Sequence, residues 1–237
     1  VKDDVIMPTT YNVSTTHAAV ASAVQTNKVL RNTYLLLAMT LLFSAVMAGA
    51  SMAMAVPFGA SLVSSLIALA LLWFVVPRTA NSAAGIGVVF AVTGLLGFGL
   101  GPVLNHYLSL ANGAQIVMLS LGITGAAFTG LSGYAQVTRK DFSFMRSFLM
   151  IGILVAFIAG IVSLVAALVG YPMPALALTV SALFAVLMCG LILWQTGEIV
   201  NGGETNYVLA TVTLYVSIYN LFTSLLHLLG AFMGERE

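Results

Sequence analysis

Charge is what this sequence has least of. Of 237 residues, only 6% are Asp, Glu, Lys or Arg, where soluble domains carry about a quarter. With 60% of residues hydrophobic, that scarcity excludes a soluble globular domain and leaves an integral membrane protein. The formal net charge of +1 offers no electrostatic footprint for nucleic acid. The single cysteine, Cys189, lies in an apolar run, which excludes an intramolecular disulfide and a cysteine-rich metal site. No internal repeat or second domain is visible. The chain opens on Val1 and a polar stretch, which is not expected to act as a removable signal peptide.

What is present is a polar start followed by apolar runs. Residues 1–27, rich in Thr, Ser, Asn, Ala and Val, have no sustained apolar period, and Pro8 and several β-branched residues work against helix. They are expected to form a flexible tail outside the membrane, ahead of a transmembrane domain over 28–237. Seven spans of roughly 20 residues follow, at Thr33–Ala55, Phe58–Val76, Ala84–Leu104, Ala114–Gln136, Ser147–Gly170, Met173–Trp194 and Tyr207–Met233. Lys28, Arg31, Arg78, Arg139, Lys140 and Arg146 all fall at one end of these spans, whereas the loops around Pro57, His106 and Tyr171 have no Lys or Arg. Only Arg236 falls on that other side. The positive-inside rule then puts the N-terminus in the cytosol and the C-terminus across the membrane. Trp73 and Trp194 are expected at the cytosolic interface.

The last span is not uniformly apolar. Thr213, Ser217, Asn220, Ser224 and His227 recur at helical spacing and fall on one stripe, with Leu214, Leu221, Leu225 and Leu228 on other faces. Lipid tails offer such groups no partners, so the stripe should face protein or water, either as glue between helices or as part of a path. The helix therefore belongs inside the bundle. Gly94, Gly97 and Gly101 in span three, and Gly122, Gly125, Gly130 and Gly133 in span four, are expected to let helix backbones approach closely.

No charged residue lies well inside a span, which argues against a pump. Glu198 and Glu204 sit in the turn before the last span. Glu204 is placed to favour a helix N-terminus, and two glutamates fall short of the six to eight oxygens that calcium takes. Gly130-Leu-Ser-Gly133 and His227-Leu-Leu-Gly230 look like the serine and histidine motifs of rhomboid intramembrane proteases. Topology puts Ser132 about 6–8 Å from the cytosolic end and His227 about 30 Å above it. A catalytic pair needs about 3 Å, so a non-enzyme without cofactor or metal is expected.

Three stretches carry a family resemblance. Gly94-Leu-Leu-Gly-Phe-Gly-Leu-Gly-Pro102, Thr138-Arg-Lys-Asp-Phe-Ser-Phe144 and Leu214-Tyr-Val-Ser-Ile-Tyr-Asn-Leu-Phe222 resemble the Bax inhibitor-1 family. Lys28-Val-Leu-Arg-Asn-Thr-Tyr34 and Gly202-Gly-Glu-Thr-Asn-Tyr207 resemble its bacterial YccA-like branch more closely still. The resemblance implies six helices around a central seventh, in agreement with the polar stripe. It also implies a bacterial inner-membrane protein that modulates FtsH, the membrane-anchored ATP-dependent zinc protease, together with that protease's regulators HflK and HflC. Such proteins are themselves substrates of FtsH, engaged by a cytosolic tail, which here carries Lys2, Asp3, Asp4, Thr9, Tyr11 and His17. Many members have a pair of aspartates that gates a calcium or proton leak; the matching positions are Gln195 and Ser217, neither of which can carry charge. A slowly degraded regulator of the protease is therefore expected ahead of a leak channel.

Overall fold

The computed structural model describes residues 10–234, with side chains from Val24 onward. The described chain is all helical, and seven of its helices are long and apolar enough to cross a membrane. They are α1 Thr10–Ala53, α2 Phe58–Thr79, α3 Ala84–Leu108, α4 Gly113–Thr138, α5 Met145–Leu168, α6 Pro174–Val200 and α7 Tyr207–Met233. Six of the expected spans differ only at their ends, and α7 has the expected bounds. The chain is a multi-pass membrane protein.

The first helix corrects an expectation. It begins at Thr10, so Thr10–Asn27 is helical where an irregular tail was expected. Its 44 residues reach about 66 Å, twice the ~30 Å of a hydrocarbon core. Two physical reasons apply. Ala18, Ala19, Ala21 and Ala23 are the strongest helix formers, and no Gly or Pro interrupts the run. A helix already nucleated by the span also propagates backward without a second nucleation cost. Lys2, Asp3, Asp4 and Thr9 lie outside the described residues, as do the side chains of Tyr11 and His17.

Helix ends follow local chemistry. Val56 precedes Pro57, which disfavours helix at that residue, and α1 stops just before it. Pro174 opens α6 at its first position, where a missing N–H costs nothing. Pro77 lies within α2 and has no N–H for the carbonyl one turn back. The chain widens there into a π-helical segment at Leu71–Val75. Side chains satisfy two nearby carbonyls: the Arg78 guanidinium donates to Phe74 O, and Thr79 Oγ1 donates to Val75 O at 2.9 Å.

The core gathers around α7, the most buried span, which packs against α6, α4, α1 and α3. α2 is held chiefly by α3 and α5 by α6. The central position of the seventh helix is thus enforced by four direct neighbours, with α2 and α5 outside. Lipid gives no hydrophobic drive between helices, so close backbone approach and hydrogen bonds must hold them. Along the α1–α3 seam, a Cβ at Gly94 would strike the Phe43 ring, and one at Gly97 the Ser44 backbone and hydroxyl. One at Gly101 would strike Ser51. On the other side of α3, Ser61 donates to Gly99 O and Ser64 to Leu95 O at 2.7 Å.

The glycines of α4 behave differently from expectation. Around Gly122, Gly125, Gly130 and Gly133 there is open space, with nothing within 4 Å of a would-be Cβ. They do not bring helices of this chain together. The reason is rotational: α4 packs through Ile116, Ser120, Thr124, Ser132 and Ala135, which are buried on the face it turns inward. Trp194 packs against the core, its indole Nε1 buried without a protein partner. Trp73 is exposed on α2 and leans on Phe157 of α5, with ring centroids 6.5 Å apart.

Candidate functional site

Three groups of residues are candidates: the polar stripe of α7, a polar belt near the basic end, and the turn that closes that end. The basic end is the one bearing Lys28, Arg31, Arg78, Arg139, Lys140 and Arg146.

The members of the stripe differ in burial. Ser217 and Ser224 are buried, and Thr213, Asn220 and His227 are partly so. Most of its bonds stay inside its own helix. Ser217 Oγ donates to Thr213 O at 2.7 Å, and Asn220 Nδ2 to Val216 O at 2.9 Å. Bonds of this kind satisfy a side chain without reaching a neighbour. His227 is the exception: its Nδ1 lies 2.8 Å from Ser181 Oγ of α6, which also reaches Ala177 O at 3.0 Å. One hydroxyl proton serves two neighbours there, so Ser181 donates to Ala177 O while accepting from an Nδ1–H, or donates to the ring nitrogen instead.

The other interhelical bonds of α7 come from residues the stripe did not include. Tyr215 is fully buried; its hydroxyl lies 2.5 Å from Ser44 Oγ and donates to Thr93 O at 3.2 Å. One phenol therefore ties α7 to α1 and α3 together. Its ring stacks on Tyr219 at 6.3 Å. A tyrosine in mid-span was the available sequence signal, because a phenol buried among apolar groups has to find a partner.

Near the basic end a belt of polar side chains links four helices. Gln136 Nε2 of α4 donates to Tyr34 Oη of α1 at 3.3 Å. Ser132 of α4 lies 3.3 Å from Thr196 Oγ1 of α6. Thr211 of α7 donates to Tyr207 O at 2.7 Å, with Thr33 O of α1 at 3.3 Å. Gln195 is buried in the same layer, and its Nε2 and the Thr33 hydroxyl have no protein partner. Thus Gln195 sits in a polar setting, whereas Ser217 is bonded within α7. Glu198, one turn beyond Gln195, lies against the turn: its backbone carbonyl takes Gly203 N and Glu204 N at 2.8 and 3.1 Å. The serine and histidine of the rhomboid-like motifs are committed separately, Ser132 to Thr196 and His227 to Ser181. No group of three His, Cys, Asp or Glu that could hold a metal gathers among the described residues.

The closing turn is rigidly built. Asn206 caps α7, its Oδ1 accepting from Val208 N and Leu209 N at 2.9 and 3.1 Å. Its Nδ2 donates to Ala80 O and Asn81 Oδ1 of the α2–α3 loop at 3.1 and 2.8 Å. Glu204 Oε1 accepts from Asn206 N at 2.7 Å, so its role is structural. The α4–α5 loop is pinned alongside. Asn201 Nδ2 donates to Lys140 O at 3.1 Å, and Phe142 is buried against Gly197. In that loop the backbone N–H of Ser143 donates to Asp141 Oδ1 at 2.8 Å and holds this carboxyl below its ordinary value. The stabilisation is present above the ordinary carboxylate value and is lost as pH falls through the lowered one.

Comparison with known proteins places this geometry among relatives. The family described as "Inhibitor of apoptosis-promoting Bax1" matches residues 26–234. A protein of Escherichia coli K12 named "Modulator of FtsH protease YccA" is 45% identical over 218 residues, covering 92% of this chain and 96% of the relative. A Vibrio cholerae protein described as an uncharacterized membrane protein is 45% identical over 206 residues, covering 87% and 90%. An uncharacterized Pseudomonas aeruginosa protein is 43% identical over 219 residues, covering 92% and 96%.

Proposed function

This chain belongs to the Bax inhibitor-1 family, and on that footing we propose that it is a bacterial inner-membrane modulator of FtsH that is itself a slowly degraded substrate of the protease. The observation that carries the reading is the near full-length similarity to a relative named for modulating that protease. The bundle supports it physically. A protease that draws its substrate out of the bilayer has to undo the α1–α3 seam and the Tyr215 bonds, and a substrate that resists occupies the enzyme. The tail over residues 1–27, with Lys2, Asp3, Asp4, Thr9, Tyr11 and His17, is the part engaged. HflK and HflC belong to the same reading, as companions of the protease.

The reading includes no catalysis by this chain, since Ser132 and His227 are bonded to two different residues of α6, Thr196 and Ser181. A calcium or proton leak has less support. Gln195 and Ser217 carry no charge, and most of the stripe's hydrogen bonds are spent within α7.

The direct test is recovery of the complex. Tagged chain solubilised in mild detergent should bring FtsH with it, whereas an equally abundant, unrelated seven-span protein should not. Failure to recover the protease even after crosslinking in the intact membrane would remove it as the partner.

Orientation is a second part of the proposal. The basic end should face the cytosol, with the C-terminus across the membrane. Alkaline phosphatase fused after Glu237 should be active, because it folds only outside the cytosol. A full-length but inactive fusion would reverse the orientation and put the N-terminal segment out of reach of a cytosolic ATPase.

A further inference from the structure

At the basic end, a groove of about 590 Å³ runs between α1 and the turn that leads into α7. One wall is a single face of α1, formed by Val24, Gln25, Lys28, Val29 and Asn32; Thr205 and Tyr207 form the other. We propose that this groove binds the headgroup of an anionic phospholipid from the surrounding leaflet, with Lys28 as the charge that selects it.

Four observations converge on that ligand. Lys28 is the first cation of the long apolar span Val24–Ala53, which puts the groove at headgroup depth. Among the described residues no carboxylate lines the groove, so the ammonium there is not neutralised by the wall opposite. Glu204, next to Thr205 in sequence, is not part of the lining, and its Oε1 accepts from the backbone N–H of Asn206. The remaining polar lining is amide and hydroxyl, which hydrogen-bonds phosphate oxygens and glycerol. Val24 and Val29 complete the lining with apolar surface suited to the first carbons of an acyl chain. Arg31, one turn from Lys28 on α1, is also exposed and adds to the field at this end. Basic side chains at the membrane surface attract anionic lipids. The helix terminus beside the groove is not the binding element, since the Asn206 side chain already occupies Val208 N and Leu209 N.

Binding there would hold two parts of the chain together. The same stretch of α1 passes the α6–α7 turn, where Thr26 Oγ1 lies 3.6 Å from the would-be Cβ of Gly202. A bound headgroup would bridge the start of the first span to the start of the last.

The test is thermal stability of the purified full-length protein in mild detergent. It is titrated with phosphatidylglycerol, with phosphatidylcholine of the same acyl chains, or with inorganic phosphate. Phosphatidylglycerol should raise the melting temperature by several degrees more than phosphatidylcholine, and phosphate should not reproduce the gain. Lys28→Gln should abolish most of the difference, Lys28→Arg should keep it, and Arg139→Gln, a cation of the α4–α5 loop, should leave it intact. An equal response in Lys28→Gln, or a full response to free phosphate, would overturn the assignment.

Discussion

Removing residues 1–23 lengthens the half-life of this protein several-fold in cells that contain the protease, and leaves it unchanged in cells that lack it. This is the expected result of a chase after translation is stopped. The argument rests on local stability. From Thr10 to the start of the span, the chain is a helix continued outward from α1. A helix frays from its free end one turn at a time, so such a segment unwinds at little cost, whereas residues inside the bundle do not. On the proposed orientation it is also the part of the chain that an ATPase ring can take up from a free end. The other segments at that end are closed loops. The α4–α5 loop is pinned through Lys140 and Phe142, and the α6–α7 turn through Asn206. Truncation before Val24 leaves Thr26 and Lys28 in place, so folding of the bundle is retained. Equal half-lives for the full and truncated chains, both still dependent on the protease, would move the grip elsewhere on this chain.

Gly97→Ala, one added methyl group, should destabilise the bundle by about 1–3 kcal/mol, the usual range for overpacking. Gly122→Ala should be neutral or stabilising by about 0.5–1 kcal/mol, through the higher helix propensity of alanine. Both are Gly→Ala changes in mid-span, so the contrast isolates packing. The methyl at Gly97 meets the Ser44 backbone, which cannot rotate away as a side chain could. Moving Ser44 also disturbs its 2.5 Å contact with Tyr215 and, through that phenol, the bond to Thr93 O. Around Gly122 there is open space. Unfolding of the purified variants in denaturant measures both effects. Losses of the same size at the two positions would mean that space at the helix surface is not what separates them.

Those two glycines also show how far the sequence could be read. Apolar runs bounded by polar turns give the number and place of the spans, because bilayer thickness sets one length for all of them. They do not give rotation about each helix axis. Glycine recurs in α3 and α4 alike, yet only in α3 does the row meet another backbone, because Phe43, Ser44 and Ser51 of α1 stand opposite. The same limit applies to α7. Helical spacing groups Thr213, Ser217, Asn220, Ser224 and His227 on one stripe, yet it does not say how deeply each is buried or which of them cross to a neighbour: Ser217 and Ser224 are buried, and Thr213, Asn220 and His227 only partly so. Tyr215 and Thr211, which carry interhelical bonds, read simply as members of an apolar run. Asn206 was more accessible to reasoning, as an amide immediately before a periodic apolar segment is a cap signal. Helix at Thr10–Asn27 is not legible from residue propensities alone, because the adjoining span already meets the cost of nucleation.

The seam between α1 and α3 gives the bundle a mechanical direction. Gly94, Gly97 and Gly101 oppose Phe43, Ser44 and Ser51 along the length of two neighbouring helices. A force applied at the outer end of α1 acts nearly parallel to that seam. The contacts are then loaded together in shear, and the load is shared among them. To slide by a single turn, about 5.4 Å, α1 has to break the whole row at once. A pull across the seam would instead peel it one contact at a time. α5, held chiefly by α6, would yield to such a sideways load far sooner. Resistance to extraction is therefore a property of where the chain is gripped as much as of how well it is packed, and it is greatest for a motor that starts at the N-terminus.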